Sequence, residues 1–262
     1  VQTFLPYPDF RESAASLDTG RLGKQRVEAL QILRALVIPD YGWRSHPAVR
    51  MWMGHVPALT AYGLAMVDQW IEQGHDDSTR SKIQEFTPAT PSREDPVMPP
   101  WLGDPAFHLA HRSNLIRKDP DFYLPVFDGV PQDLPYIWPE PADVQLPQAP
   151  SSGALWVFRA SPDQRDDDQL VMRRSGPKRK SPKWQRQAQA FTTLMEPGTH
   201  VAVTYDSGET FRTGTVTGEV ETLLDGALAR TVAFDGERDR ASFPQPALLQ
   251  DPKTLFAVAV AG

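Results

Sequence analysis

Apolar residues recur at helical spacing through the first half of the chain and alternate with polar ones through the second. Asp18-Thr19-Gly20 supplies capping chemistry ahead of RLGKQRVEALQILRALVI, where Leu22, Ala29, Leu30, Leu33 and Val37 share one face, so a long amphipathic helix is predicted there. A short helix is predicted over residues 46–53 and a longer one over 56–73, stopping at Gly74. Asp77-Ser78 caps a further helix that reaches about Phe86, and 87–101 reads as a loop. Asp104-Pro105 has the order of a cap followed by proline in the first turn, and opens a helix to about Lys118.

Beyond residue 153 the period changes. ALWVFRA, HVAVTYD, FRTGTVTG, ARTVAFD and LFAVAV alternate as half-buried strands do, with turn signals at Asp206-Ser207-Gly208 and Asp235-Gly236. Pro131, Pro135, Pro139, Pro141, Pro147 and Pro150 punctuate the stretch between the two patterns, which therefore reads as an extended connector. The expected fold class is a mainly α N-terminal domain followed by a small all-β C-terminal barrel of SH3-like or Tudor-like type. The expected boundaries are 1–130 for the helical domain, 131–153 for a Pro-rich linker and 154–262 for the barrel, with a basic loop over 173–186.

Composition narrows the chemistry. The chain has no cysteine, which excludes disulfides, thiolate nucleophiles and cysteine-ligated zinc. It has no run of about 18 apolar residues, and VQTFLPYPDF lacks the regions of a secretion signal, so a cytoplasmic, nucleoid-associated protein without a membrane partner is expected. The net charge of -6 is no advertisement for nucleic-acid binding, yet RRSGPKRKSPKWQR over 173–186 holds seven basic residues and no acid. Lys178, Arg179 and Lys180 in that run are candidate phosphate contacts; a solvated loop is the alternative.

On the long helix, Arg21, Lys24, Gln25 and Glu28 fall at i, i+3, i+4 and i+7, opposite the leucines. A carboxylate among cations stays ionised at neutral pH and can steer a proton, and the cations can hold phosphates on either side of a reacting sugar. The same pattern is also the wet face of an ordinary amphipathic helix, and spacing alone leaves both readings open. His108 and His111 have a spacing seen in metal sites, but no second ligand cluster accompanies them, so no metal is expected. His111 and Arg112 could instead contact phosphate or a damaged base.

The string LDTGRLGKQRVEALQIL resembles the signature of the phage endonuclease V-like pyrimidine-dimer DNA glycosylases: a basic residue, then Leu, then Glu seven positions after the basic residue, matched by Arg21, Leu22 and Glu28. Pro47 followed by Gly54-His55-Val56, and then Lys118-Asp119-Pro120-Asp121-Phe122-Tyr123, are similar to later blocks of that family, in order over residues 1–127. The resemblance implies an endonuclease V-like helical domain and a base-excision glycosylase with AP-lyase action on damaged double-stranded DNA, needing no cofactor. It implies that the α-amine of Val1 is the nucleophile and that Glu28 stabilises the cationic sugar and moves protons. An α-amine has an ordinary pKa near 8, so an unprotonated fraction exists at neutral pH without deep burial. A valine at position 1 could stand for a start codon read literally, and a methionine there would offer the same amine; acetylation or a tag would remove it.

By the same resemblance and by position, Arg21, Lys24, Gln25, His55, His111, Arg112, Phe122 and Tyr123 are expected to face DNA. The family's arginine before the catalytic glutamate is Val27 here, and its second-residue arginine is Gln2, so a modified base other than a pyrimidine dimer is also open as substrate. The resemblance does not reach residues 150–262. A monomer is expected. The competing readings are a non-catalytic DNA-binding adaptor that keeps the helical scaffold, and a nuclease-like defence enzyme acting on modified bases.

Overall fold

Helix α1 (Phe10–Ala15) and helix α2 (Thr19–Val37) open the structure, which is a computed structural model describing residues 1–87, 96–150, 154–164, 167–173, 182–205 and 208–259. Helix α2 starts where Asp18 accepts the Arg21 N–H at 3.0 Å, satisfying one of the amides that a first turn leaves unpaired. Its buried face, built on Leu22, Ala29, Leu30, Ile32, Leu33 and Leu36, includes the predicted stripe except Val37, which is half-buried. After the short α3 (Pro47–Arg50), helix α4 (Val56–Glu72) packs along α2. Gly63 permits the close approach: a Cβ there would stand 3.3 Å from that of Ala29. Helices α5 (Arg80–Gln84), α6 (Pro105–Lys118) and α7 (Pro120–Val126) follow, and Asp104 caps α6 as its sequence predicts. Helix α7 was not expected; Asp119 caps it, accepting the Phe122 N–H.

Two compact units, Val1–Pro147 and Gln148–Gly262, divide the chain. Residues 131–147, expected as part of a linker, therefore belong to the first unit. They form neither helix nor strand, but side chains of the unit hold them. The Leu134 N–H donates to Ser113 Oγ at 3.1 Å, Asn114 Nδ2 donates to the Leu134 carbonyl at 3.1 Å, and Arg44 Nη2 donates to the Pro147 carbonyl at 2.6 Å. Ala142 packs so closely on Gly54, at φ +82°, that a Cβ there would lie 3.0 Å from its own. Prolines exclude this strap from regular structure without making it a tether.

The second unit overturns the expected all-β barrel. Its elements are β1 (Ala154–Ala160), β2 (Gln169–Met172), α8 (Pro182–Thr193), β3 (His200–Tyr205), β4 (Thr210–Val216), β5 (Glu221–Thr222), β6 (Leu228–Asp239) and β7 (Leu255–Ala259). The sheet order is β2-β6-β4-β3-β1-β7 with β5 on β6, and it curls only as a half-barrel. Strands β1 and β3 are parallel, Trp156 opposite Val201, and parallel neighbours need a crossover rather than a tight turn. Helix α8 lies within that crossover. Its Ala188 and Phe191 join Phe158, Val201 and Val203 on one face of the sheet, while Val157, Ala202 and Phe256 join Phe243 and Leu249 on the other. Both faces are thus covered, which explains why five of six residues in β3 are buried. Helix makes up 40% of the described residues and strand 18%, and helix is not confined to the N-terminal part.

The Asp235-Gly236 turn signal lies inside β6. Thr213 pairs with Gly236 and Gly214 with Phe234, so Asp235 is the extra residue of a bulge rather than a turn. The Asp206-Ser207 half of the other turn signal lies outside the described residues, as do Lys178, Arg179 and Lys180. Trp184 in the basic run is described; it lies in the first turn of α8 and packs against the core.

Candidate active site

Residues 2–7 form neither helix nor strand and make their backbone hydrogen bonds to side chains. The Gln2 N–H donates to Glu28 Oε2 at 3.1 Å. Phe4 N–H donates to Gln25 Oε1 at 2.9 Å, and the Tyr62 hydroxyl sits 3.0 Å from the Phe4 carbonyl. Leu5 N–H donates to His111 Nδ1 at 3.3 Å, and His108 Nδ1 pairs with the Leu5 carbonyl at 2.8 Å. Arg112 Nη1 donates to the Pro6 carbonyl at 3.1 Å, and Tyr7 exchanges hydrogen bonds with Ser13 Oγ. A buried segment without a neighbouring strand must find such partners, and this one finds them on α1, α2, α4 and α6.

Gln25 organises the centre of this arrangement. It is fully buried; its Oε1 also accepts from the Tyr62 hydroxyl at 2.5 Å, and its Nε2 donates to Glu28 Oε2 at 3.1 Å. Because Oε1 is taken by two donors, the amide can only turn Nε2 toward the carboxylate. Glu28 is thereby aimed, with Oε2 occupied and Oε1 without a partner among the described residues. Burial raises the Tyr62 pKa well above that of an ordinary phenol, so its hydroxyl stays a donor.

Val1, Gln2 and Glu28 border a cavity of about 680 Å³. Arg21, Lys24 and Lys118 contribute cations to its lining, and His46, Tyr136 and Trp138 contribute rings. Arg21 is tethered, its Nη1 2.6 Å from Asp18 Oδ2 and 3.3 Å from Asp119 Oδ2. Burial opposes the charge on Asp18, but hydrogen bonds from Tyr123 and Arg21 outweigh it and hold its pKa below the usual carboxylate value. Lys24 and Lys118 are exposed, and neither has an ion-pair partner among the described residues. His46 caps α3, its Nδ1 accepting the Ala48 N–H at 3.1 Å, so its proton is on Nε2. Burial first, and then the positive charge at residue 1, lower its pKa, while Glu28 pulls the other way.

The structure thus brings Val1, Arg21, Lys24, Gln25 and Glu28 around one space and places His55, His111, Arg112, Phe122 and Tyr123 outside its lining. Gln25 is a buried support and not a surface contact. His111 is fully buried under the N-terminal segment, which rules out the expected contact with DNA in this conformation. Arg112 braces Pro6 and lies over the Tyr7 ring, 5.7 Å from its centroid. Tyr123 is buried with its hydroxyl donating to Asp18 Oδ2 at 2.6 Å, while Phe122 is exposed on α7. His55 precedes α4 and does not line the cavity; burial lowers its pKa. The sequence reading missed His46, Tyr136 and Trp138. Ser45-His46-Pro47 carried a signal, a capping type before proline, whereas the two aromatics were hidden among prolines.

Residues 1–83 match the family model described as pyrimidine dimer DNA glycosylase. The match covers the N-terminal third of the chain, which is therefore similar to a DNA repair glycosylase family. The matched segment includes Val1, Arg21, Lys24, Gln25, Glu28 and His46, and stops before Lys118, Tyr136 and Trp138. No curated protein and no solved structure matches the chain.

Proposed function

We propose that the cavity is the active site of a base-excision glycosylase with AP-lyase action, working through the amine of residue 1 on damaged double-stranded DNA. One observation carries the proposal: the Glu28 carboxylate binds the first peptide N–H at 3.1 Å. An amine one residue further back is at most about 7 Å from that oxygen, given a span of about 3.6 Å per residue.

The chemistry then runs as covalent catalysis by an amine. The unprotonated amine of residue 1 attacks C1′ of the damaged nucleotide, the C1′–N bond breaks, and the base leaves with a proton. The sugar ring opens as the C1′–N bond to the enzyme becomes an iminium, and O4′ takes up a proton. Loss of a proton from C2′ breaks the C3′–O bond, nicks the strand and releases the 3′ phosphate oxygen. Water then cleaves the imine and restores the amine. Glu28 opposes the positive charge developing on the sugar, and its Oε1 is placed to accept and return protons. Lys24 and Lys118 at the rim would hold the phosphates that flank the nucleotide. Extruding that nucleotide from the duplex is the usual means of reaching C1′.

The test is borohydride trapping. Protein processed to begin at residue 1 is incubated with an abasic duplex and reductant. A covalent adduct is expected, and it should vanish when the amine is acetylated or the chain is extended by one residue. DNA retention without any adduct refutes the amine mechanism and leaves the DNA-binding adaptor as the better account.

A further inference from the structure

Of the seven tryptophans in the chain only Trp43 is exposed, at 56%. An exposed apolar side chain needs no explanation by itself. The backbone beneath this one does. Trp43 has φ +72°, and among the described residues the only other non-glycine with a positive φ is Asp40, at +57°. Aspartate enters the left-handed region readily, because its short polar side chain bonds locally. For a side chain as bulky as indole the conformation is strained, and it persists only where the surroundings impose it.

Here they do. The His46 N–H donates to the Trp43 carbonyl at 2.9 Å, closing a turn over residues 43–46. Arg44 is tied to the Pro147 carbonyl at 2.6 Å, and His46 caps α3, whose Ala48 and Val49 are buried. The turn lies at the mouth of the cavity. The Trp43 ring meets His46 edge-on, centroids 5.9 Å apart, and His46 lines the cavity. A ring that touches the lining and is itself exposed stands at the rim. Lys24 and Lys118, both exposed, bring positive charge to the same lining. A flat apolar ring held rigidly beside cations is the combination that parts a base step: the cations grip phosphates and the ring enters the stack as a wedge. Extruding a nucleotide forfeits its stacking, and a ring that refills the gap offsets part of that loss.

We infer that Trp43 is the wedge of this site: its indole enters the duplex beside the damaged nucleotide and fills the space that nucleotide leaves as it turns into the cavity. The inference rests on the glycosylase reading above and adds the residue that opens the duplex. A wedge matters most where the stack is intact and least where the neighbouring bases are already unpaired, so the test compares those two states of one substrate.

Single-turnover cleavage is measured at an abasic site in a fully paired duplex and at the same site flanked by mismatched bases. Wild type, Trp43→Phe, Trp43→Ala and Trp43→Gly are compared, with thermal unfolding of each. The Ala and Gly variants are expected to lower the paired-to-mismatched rate ratio by about 5- to 100-fold, the loss falling on the paired duplex. The Phe variant keeps a stacking face and should stay within about threefold of wild type. Trp43→Gly should also raise the melting temperature, since glycine adopts this φ without strain. An unchanged ratio in the Ala and Gly variants, whether both rates fall together or neither does, overturns the wedge and leaves the amine chemistry standing. A melting temperature lowered by Trp43→Gly would show that the ring serves the fold, and overturns it equally. Wild type that cleaves neither duplex and traps no adduct overturns the glycosylase reading, and the inference with it.

Discussion

Acid should loosen the seat of the N-terminal segment, because His111 can hold Leu5 only as a neutral ring. Its Nδ1 accepts the Leu5 N–H, so the ring hydrogen is on Nε2, and a second proton would break the bond. Burial, and then the neighbouring His108, lower the His111 pKa from 6.5 to about 3. An unfolded chain takes up that proton as pH falls below about 6.5, and the folded one does not, so acidification favours unfolding. The contribution is fully present above the unfolded value and is lost progressively as pH falls toward about 3. The slope is about 1.4 kcal/mol per pH unit for one proton, so about 2 kcal/mol is gone at pH 5. That is a sizeable part of a typical stability of 5–15 kcal/mol, to take a rough range. Asp18 and Asp77, both with lowered pKa values, act in the same direction but below about pH 4, outside this window. The perturbation is His111→Gln, which keeps an acceptor and removes the titration. Hydrogen exchange of peptides from residues 1–17, at pH 7 and pH 5 after correction for intrinsic rates, reads the first unit separately from the second. Wild type should lose about 2 kcal/mol more protection than the variant on acidification. Equal losses would refute the argument.

Glu28→Gln should lower single-turnover base excision by about 10²- to 10⁴-fold while changing the melting temperature little; full activity in that variant would remove Glu28 from the chemistry. Gln25→Leu strands the Phe4 amide and takes one of two partners from the Tyr62 hydroxyl and from Glu28 Oε2, and should destabilise the first unit by about 2–5 kcal/mol, read as a lower denaturant midpoint. Arg230 is buried in the second unit and donates to the carbonyls of Phe191, Thr192 and Gly218, closing the end of α8. Arg230→Met should cost about 3 kcal/mol there and speed amide exchange in α8; unaltered exchange would contradict the capping role.

The helical half was legible where packing follows one period. Helix α2 shows its leucine face and its aspartate cap in the sequence, and α6 its Asp-Pro start. Helix α8 was not legible, because only Ala188 and Phe191 of its residues are buried and the basic run around it dominates the pattern. Strand β3 reads as alternating from its sequence, yet it is covered on both faces, so periodicity could not separate a barrel from a mixed sheet. In the candidate site, residue type misled more than spacing did. His108, His111, Arg112 and Tyr123 look like ligands or phosphate contacts, but each holds a backbone group or a carboxylate in place. Those roles depend on contacts more than 100 positions apart in the chain, which no local pattern encodes.

The clamped N-terminal segment also predicts how the protein tolerates change. Ser13, Gln25, Tyr62, His108, His111 and Arg112 share no motif and sit on four helices. In a saturation screen scored for abundance they should nevertheless behave as one block, each intolerant of most replacements and pairs of losses far from additive. An investigator given only that tolerance map would recover the path of residues 2–7 from it.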